Sequence, residues 1–549
     1  MGNLTDAALM ILDPTVLLVI LLSAIYGLFM GAIPGLTATL ATALLVPFAF
    51  FLEPVAALAS IITMSAMAIF AGDIPSALVR MPGTPASAAY TDDAYFLTRQ
   101  GKGDLALGIG LVGSAVAGIM GSVVLILAAP IVAEFALQFT SFEYFWFAVL
   151  GLSTAVVISR GSQVKGVIAL SLGLLLGTVG LDPTMGFPRF TFGSDGLLGG
   201  INFIPAMIGL FGLSEVLRNV LAKHVMQRPP RIDMKGFWRR IGRHSRRESR
   251  HMLRGGAIGS VVGALPGAGG DVAAWVSYGT AKNGAKEPGK FGKGSTEGIA
   301  AAGSANNSSL ASAWVPTLTL GIPGDTITAI LIGVLYLKGL TPGPAIFRDQ
   351  PELVTAVYLI FILANLLLIP LGYLAIRMSG FVLRVPRHVL LPVIVVFCVV
   401  GSYSVNNSLL GIWVMLGMGI VGFLMERAGI PLAPVVLGLV LGPIVERNFT
   451  AAVTVTNWDL AQFFTRPVSA ALIVAVLLTW MWPLFSMLRG RMKGSGDRPR
   501  DGDGQGADGT GADDEPGTPV SVEADASPST PTAREVRVDR GIRPPGDGP

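Results

Sequence analysis

Apolar runs of membrane length recur along this chain up to about Leu488, and no other feature limits its fold as tightly. A helix that crosses a bilayer needs about 20 mainly apolar residues. Clear runs lie near 15–30, 105–130, 145–159, 164–181, 203–221, 353–376, 389–402, 409–425, 432–445 and 468–488. Between them, 31–51, 55–89, 256–280 and 310–340 are apolar but interrupted by proline and glycine. The pattern predicts an all-α polytopic membrane protein with roughly a dozen transmembrane helices. Some of the interrupted segments are expected to re-enter the membrane without crossing it. Composition agrees: 52% of the 549 residues are apolar and 13% charged, about half the charged share of a soluble domain. This balance excludes a soluble enzyme, a nucleic-acid binder and a disordered regulator.

Charge divides the chain into four regions. Residues 494–549 hold 12 acidic and 6 basic residues and no Leu, Phe, Met, Trp or Tyr. Such a segment cannot bury enough apolar area to offset its ordering entropy, so a disordered acidic cytoplasmic tail is expected there. Residues 223–254 carry 11 Lys or Arg against Asp233 and Glu248. The positive-inside rule makes this a basic cytoplasmic loop. It separates a first membrane repeat, 1–222, from a second, 255–493, which includes additional C-terminal helices. The N-terminus has no basic residue before its first apolar run, so it is expected outside, without a cleavable signal peptide. The single cysteine, Cys398, excludes an internal disulfide, and four histidines argue against a zinc site.

The two repeats carry matching breaks. GAIPGLTATLATA at 31–43 is paralleled by GALPGAGGDVAAW at 263–275, with Pro34 and Pro266 separated by 232 residues. RMPGTPASA at 80–88 is paralleled by GIPGDTITA at 321–329, with Pro82 and Pro323 separated by 241. If the first copy starts outside and the second from the cytoplasm, the copies have inverted topology, an arrangement common in secondary transporters. Proline and glycine stop a helix inside the membrane. The freed N–H groups cannot face lipid, and a helix that restarts after the break presents a positive end suited to a carboxylate. Substrate contacts are therefore expected from Gly35, Leu36, Thr37, Thr39, Gly83, Thr84 and Ser87. The second copy would supply Gly267, Ala268, Gly269, Gly270, Gly324, Asp325 and Thr326. The competing reading is that the breaks only kink helices for packing.

Ionisable residues in apolar stretches are rare and informative. Asp271, after GAGG, is expected to ligate sodium or take a proton, with an N-cap as the plainer role. The adjacent amides of Asn306 and Asn307 suit a sodium ion, or else hydrogen bonding between helices. Asp73 and Arg80, seven apart, are expected to form an ion pair, and Asp92 and Asp93 to lie at the interface. HExxH, GxSxG and GxxxxGK[ST] are all missing from the sequence, which argues against an enzyme or an ATPase. No cofactor is expected beyond sodium or a proton as coupling ion.

Several long motifs in order resemble the large membrane subunit of tripartite tricarboxylate transporters. They are GAIPGLTAT (31–39), MPGTPASAA (81–89), PGAGGDVAAWVSYG (266–279), ANN (305–307), PTLTLGIPG (316–324), 387–408 and 433–446. The resemblance implies a bacterial inner-membrane symporter that imports a di- or tricarboxylate with sodium or protons. It further implies a small membrane subunit and a periplasmic solute-binding protein as partners. Where that family usually reads APEAANN, this chain reads AAGSANN, so Ala302 and Gly303 replace its proline and acid. Charge arithmetic favours coupling: a trianion entering against 100 mV faces about 7 kcal/mol and a dianion about 4.6. The alternatives are a carrier of another small anion without a binding protein, a channel, or a membrane-embedded enzyme.

Overall fold

The computed structural model describes residues 2–158, 162–182, 185–221, 232–383, 387–405 and 407–493. The chain divides into compact units at 1–489 and 490–549, and the acidic tail from 494 lies outside the described residues. The described part is helical apart from one antiparallel pair of two-residue strands, Gly180–Leu181 and Pro188–Arg189. Among the described residues, seven helices are long and apolar enough to cross a membrane: Pro14–Ala32, Pro54–Val79, Gly103–Ala136, Phe203–Leu221, Pro351–Val382, Leu409–Arg427 and Ala433–Val455. Five shorter apolar helices join them, among them Ala38–Phe50 and Thr326–Leu337 beside the breaks.

The breaks end and restart helices through specific local chemistry. Helix Pro14–Ala32 starts with Asp13 accepting from the Thr15 N–H at 2.7 Å and with proline at its first position, where a missing donor costs nothing. It ends before Pro34, and Gly35 turns the chain at φ +91°. Helix Ala38–Phe50 then restarts on Thr37, whose hydroxyl accepts from Leu40 N–H at 3.1 Å. In the second half Gly267 takes φ +78° and helix Gly269–Asn283 follows.

The later breaks repeat one another residue by residue, each partner 241 positions on. Helix Pro54–Ala71 bends at Gly72 into the seven-residue helix Asp73–Val79, as Thr296–Ser312 bends at Ala313 into the seven-residue Trp314–Leu320. The short helices end on left-handed Arg80 and Gly321. Ser76 and Thr317 donate to the carbonyls of Gly72 and Ala313 at 2.9 and 2.7 Å. Thr84 and Ser87 exchange backbone-to-hydroxyl bonds, both 3.1 Å. At the matching positions the Asp325 N–H donates to the Thr328 hydroxyl at 2.8 Å and the Thr328 N–H to the Asp325 carboxylate at 2.7 Å, a capping box that starts helix Thr326–Leu337.

Glycines set the close helix pairs. A Cβ placed on Gly27 or Gly31 would lie 2.3 Å from the carbonyl oxygen of Met64 or Ala68. In the second half, a Cβ on Gly259 or Gly263 would lie 2.3 Å from Ala305 O or 2.6 Å from Ser309 O. Both pairs are small-xxx-small contacts, which let backbones approach within a membrane.

The basic segment departs from the loop expected at 223–254. Residues 222–231 lie outside the described residues, but Phe237–Gly263 is one helix that runs through the boundary at 254–255. Phe237, Ile241, Ser245, Glu248, Met252, Gly256 and Gly259 are buried at helical spacing, and the arginines occupy the other faces. Arginine is a good helix former, so positive charge and helix coexist here.

Candidate functional site

All four breaks border one cavity of about 860 Å³. Thr37, Ala38 and Thr39 reach it from the first break, and Thr84 and Pro85 from the second. Gly267 through Asp271 come from the third, and Asp325 and Thr326 from the fourth. The halves touch crosswise. The Thr39 and Thr326 hydroxyls lie 3.2 Å apart, and Trp275 donates its indole N–H to the Pro85 carbonyl at 3.4 Å. The restarted helix of each half therefore meets the later break of the other. The helix N-termini at Ala38 and Gly269 lie on the cavity wall, and the unsatisfied N–H groups of a helix N-terminus favour anions.

Of the residues selected from sequence, Thr37, Thr39, Thr84, Gly267, Ala268, Gly269, Gly270, Asp271, Asn306, Asp325 and Thr326 line the cavity. The others stand behind it. Leu36 is buried at 2% exposure in the apolar core. Gly83 and Gly324 pack on backbone: a Cβ there would fall 2.6 Å from Gly72 Cα and 2.7 Å from Ala313 O. Their glycines are thus explained by packing alone. Ser87 is buried in bonds with Thr84 and Ser76. Gly35 abuts Asn219 and Glu215, with its Cβ position 3.1 and 3.3 Å from their side-chain oxygens.

The two amides part company. Asn306 lines the cavity, and its Oδ1 lies 2.6 Å from a Cβ position on Gly270. Asn307 donates to Ser114 O at 2.8 Å and Asn365 Oδ1 at 3.1 Å, between helices. Successive helical residues point to different faces, so the structure does not bring both amides to one ion.

One acidic expectation changes. Arg80 does not pair with Asp73. The left-handed turn at Arg80 carries it to Asp92 at 2.8 Å, in an exposed pair. Asp73 is buried and accepts from the Tyr90 hydroxyl at 2.5 Å. Asp93, expected at the membrane interface, is fully buried within the protein. Its Oδ1 accepts from the N–H groups of Gly292, Gly294 and Ser295 at 2.7–2.8 Å, and its Oδ2 from Tyr278 at 2.7 Å.

Sequence reasoning missed the most charged wall of the cavity. Glu215 and Arg218, on helix Ser214–Leu221, and Glu426, on Leu409–Arg427, all line it. They sit at the ends of apolar runs, where charge reads as interfacial. The available signal was the Glu–Arg spacing of three inside 203–221. Among the described residues the cavity wall carries four carboxylates, Glu215, Asp271, Asp325 and Glu426, against one guanidinium, Arg218. A separate group, Glu248, His251 and Glu297, has ligand atoms within 4.8 Å of one another. None of the three lines the cavity.

Comparison with known proteins places these features. Residues 17–437 match the model of the tripartite tricarboxylate transporter TctA family. A protein of Agrobacterium vitis, described as "Uncharacterized 52.8 kDa protein in TAR-I ttuC' 3'region", is 35% identical over 466 residues. That match covers 85% of this chain and 92% of the relative. A second, "Uncharacterized protein in TAR-II ttuC' 3'region", from the same organism, is 36% identical over 233 residues, covering 42% of this chain and 96% of the relative. No solved structure is significantly similar to the chain.

Proposed function

The chain belongs to the tripartite tricarboxylate transporter TctA family, and from that premise we propose that it is an ion-coupled symporter importing a di- or tricarboxylate across the bacterial inner membrane. In this reading a periplasmic solute-binding protein delivers the substrate and a small membrane subunit accompanies the chain. The two repeats, 1–222 and 255–493, stand in opposite orientations around the substrate. The observation that carries the proposal is the convergence of four helix breaks on one cavity of about 860 Å³. That volume lies in the range of small-ligand sites.

The substrate's carboxylates are held by the N–H groups and hydroxyls at Thr37–Thr39 and Gly269–Gly270. Coupling cations, sodium or protons, are held by Asp271 and Asn306. The charge of the wall supports coupling. A site with three more carboxylates than guanidiniums repels an anion until cations neutralise it.

The test is uptake of a carboxylate panel into proteoliposomes, with and without the binding protein, under imposed sodium or pH gradients. Saturable uptake that follows one of the gradients is expected. Uptake that neither saturates nor responds to a gradient indicates a channel and defeats the reading. Saturable uptake of another anion without the binding protein favours a stand-alone carrier. Asp271→Asn is expected to lower the cation dependence of uptake at least tenfold, about 1.4 kcal/mol, with normal amounts of protein in the membrane. An unchanged cation response removes Asp271 from the site.

A further inference from the structure

Arg218 is the one basic residue on the cavity wall among the described residues, and it is held by acids. One guanidinium nitrogen bonds a Glu215 carboxylate oxygen, and the other faces Glu426 Oε1 at a looser 3.8 Å. Exposure is graded across the three side chains: Glu215 7%, Glu426 26%, Arg218 49%. Arg218 is thus the most exposed of the three side chains on the cavity wall. Glu215 also accepts from the Asn219 side-chain amide, and both lie against Gly35 at the first break. Glu426 differs. Its Oε2 is buried and has no hydrogen-bond partner. A buried carboxylate oxygen left without a partner is costly, and a proton or a small cation on that oxygen would satisfy it.

We propose that Arg218 is the anchor for one substrate carboxylate, and that a monovalent cation or proton taken by Glu426 releases it for that task. The inference rests on the transport reading above and assigns its charged subsite and its order of events. With Glu426 charged, Arg218 is shared between two carboxylates. Once Glu426 is neutralised, the loose contact is lost, and the planar fork of the guanidinium turns to accept a carboxylate in paired hydrogen bonds. Cation binding then precedes substrate binding. The charged or titratable groups facing Glu426 from the packed helices are Arg218 and Glu215, with Asp271 and Asp325 across the cavity.

The experiment measures binding and uptake of citrate and succinate by purified full-length protein across sodium and pH titrations. It compares the wild type, Glu426→Gln, Arg218→Gln and Arg218→Lys, each confirmed monodisperse. Glu426→Gln mimics the neutralised acid. It is expected to bind the probes at least tenfold more tightly than the wild type without sodium at high pH, and to lose that step of cation dependence. Arg218→Gln is expected to weaken binding at least tenfold at every cation level, with Arg218→Lys between. A sodium-dependent step present in the wild type and absent from Glu426→Gln identifies sodium as its ligand; a step that follows pH alone identifies the proton. Wild-type binding with both glutamine variants within twofold of it overturns the anchor alone. A wild type that neither binds nor carries any carboxylate overturns the transport reading and the anchor with it.

Discussion

An Asp93→Ala protein will melt far below the wild type in mild detergent, by a margin of about 3 kcal/mol or more, since each stranded buried donor costs about 1–3 kcal/mol. Asp93 is fully buried, and one carboxylate oxygen collects three backbone N–H groups from residues about 200 positions away. Gly292 and Gly294 hold positive φ, +85° and +101°, which lets neighbouring N–H groups converge on that oxygen. The bonds are charge-assisted and sit immediately before Ser295, the N-cap of helix Thr296–Ser312. Alanine strands the three donors and the Tyr278 hydroxyl together. Asp93→Asn keeps the accepting oxygen but not the charge, so an intermediate loss is expected. Thermal unfolding followed by size-exclusion chromatography measures both. An Asp93→Ala midpoint equal to the wild type would show that the second half holds this loop unaided.

Gly27→Val and Gly259→Val will each destabilise the protein by about 1–3 kcal/mol or more, and by nearly equal amounts. Each added side chain meets a backbone carbonyl whose helix is pinned on several sides, so neither site can yield cheaply. The equality is the sharper part of the expectation. Both glycines stand at the same register of a helix pair, where an added Cβ would lie the same 2.3 Å from Met64 O or Ala305 O. Melting curves of the two variants side by side provide the check. A large loss at one position and none at the other would mean that the halves no longer share a packing scheme.

Much of this organisation was legible because proline and glycine report local backbone, and local backbone is what a sequence encodes most directly. Pro34, Pro82, Pro266 and Pro323 located the breaks, and their similar spacings of 232 and 241 pointed to a parallel in which Ser76 and Thr317 make the same bond. What stayed hidden depends on long-range approach. The burial of Asp93 left no local signal because its partners lie about 200 residues on. Asn307 looked like a neighbour of Asn306 because the rotational phase of a helix inside an apolar bundle leaves no trace in an apolar sequence. Gly83 and Gly324 looked like ligand cradles. Only the carbonyls behind them show that packing already demands glycine. Arg218, Glu215 and Glu426 were hidden by position, since charge at the end of an apolar run is ordinary at a membrane surface.

The hydroxyl contact between Thr39 and Thr326 spans 287 residues. At a synthesis rate of about 5–20 residues per second, the tip carrying Thr39 waits roughly fifteen to sixty seconds for its counterpart to emerge. During that interval the half-made chain sits in the bilayer with a polar helix end uncovered. The site therefore cannot close until synthesis has passed Thr326, and the nascent first half is the stage at which an insertase or a membrane protease would find it most vulnerable.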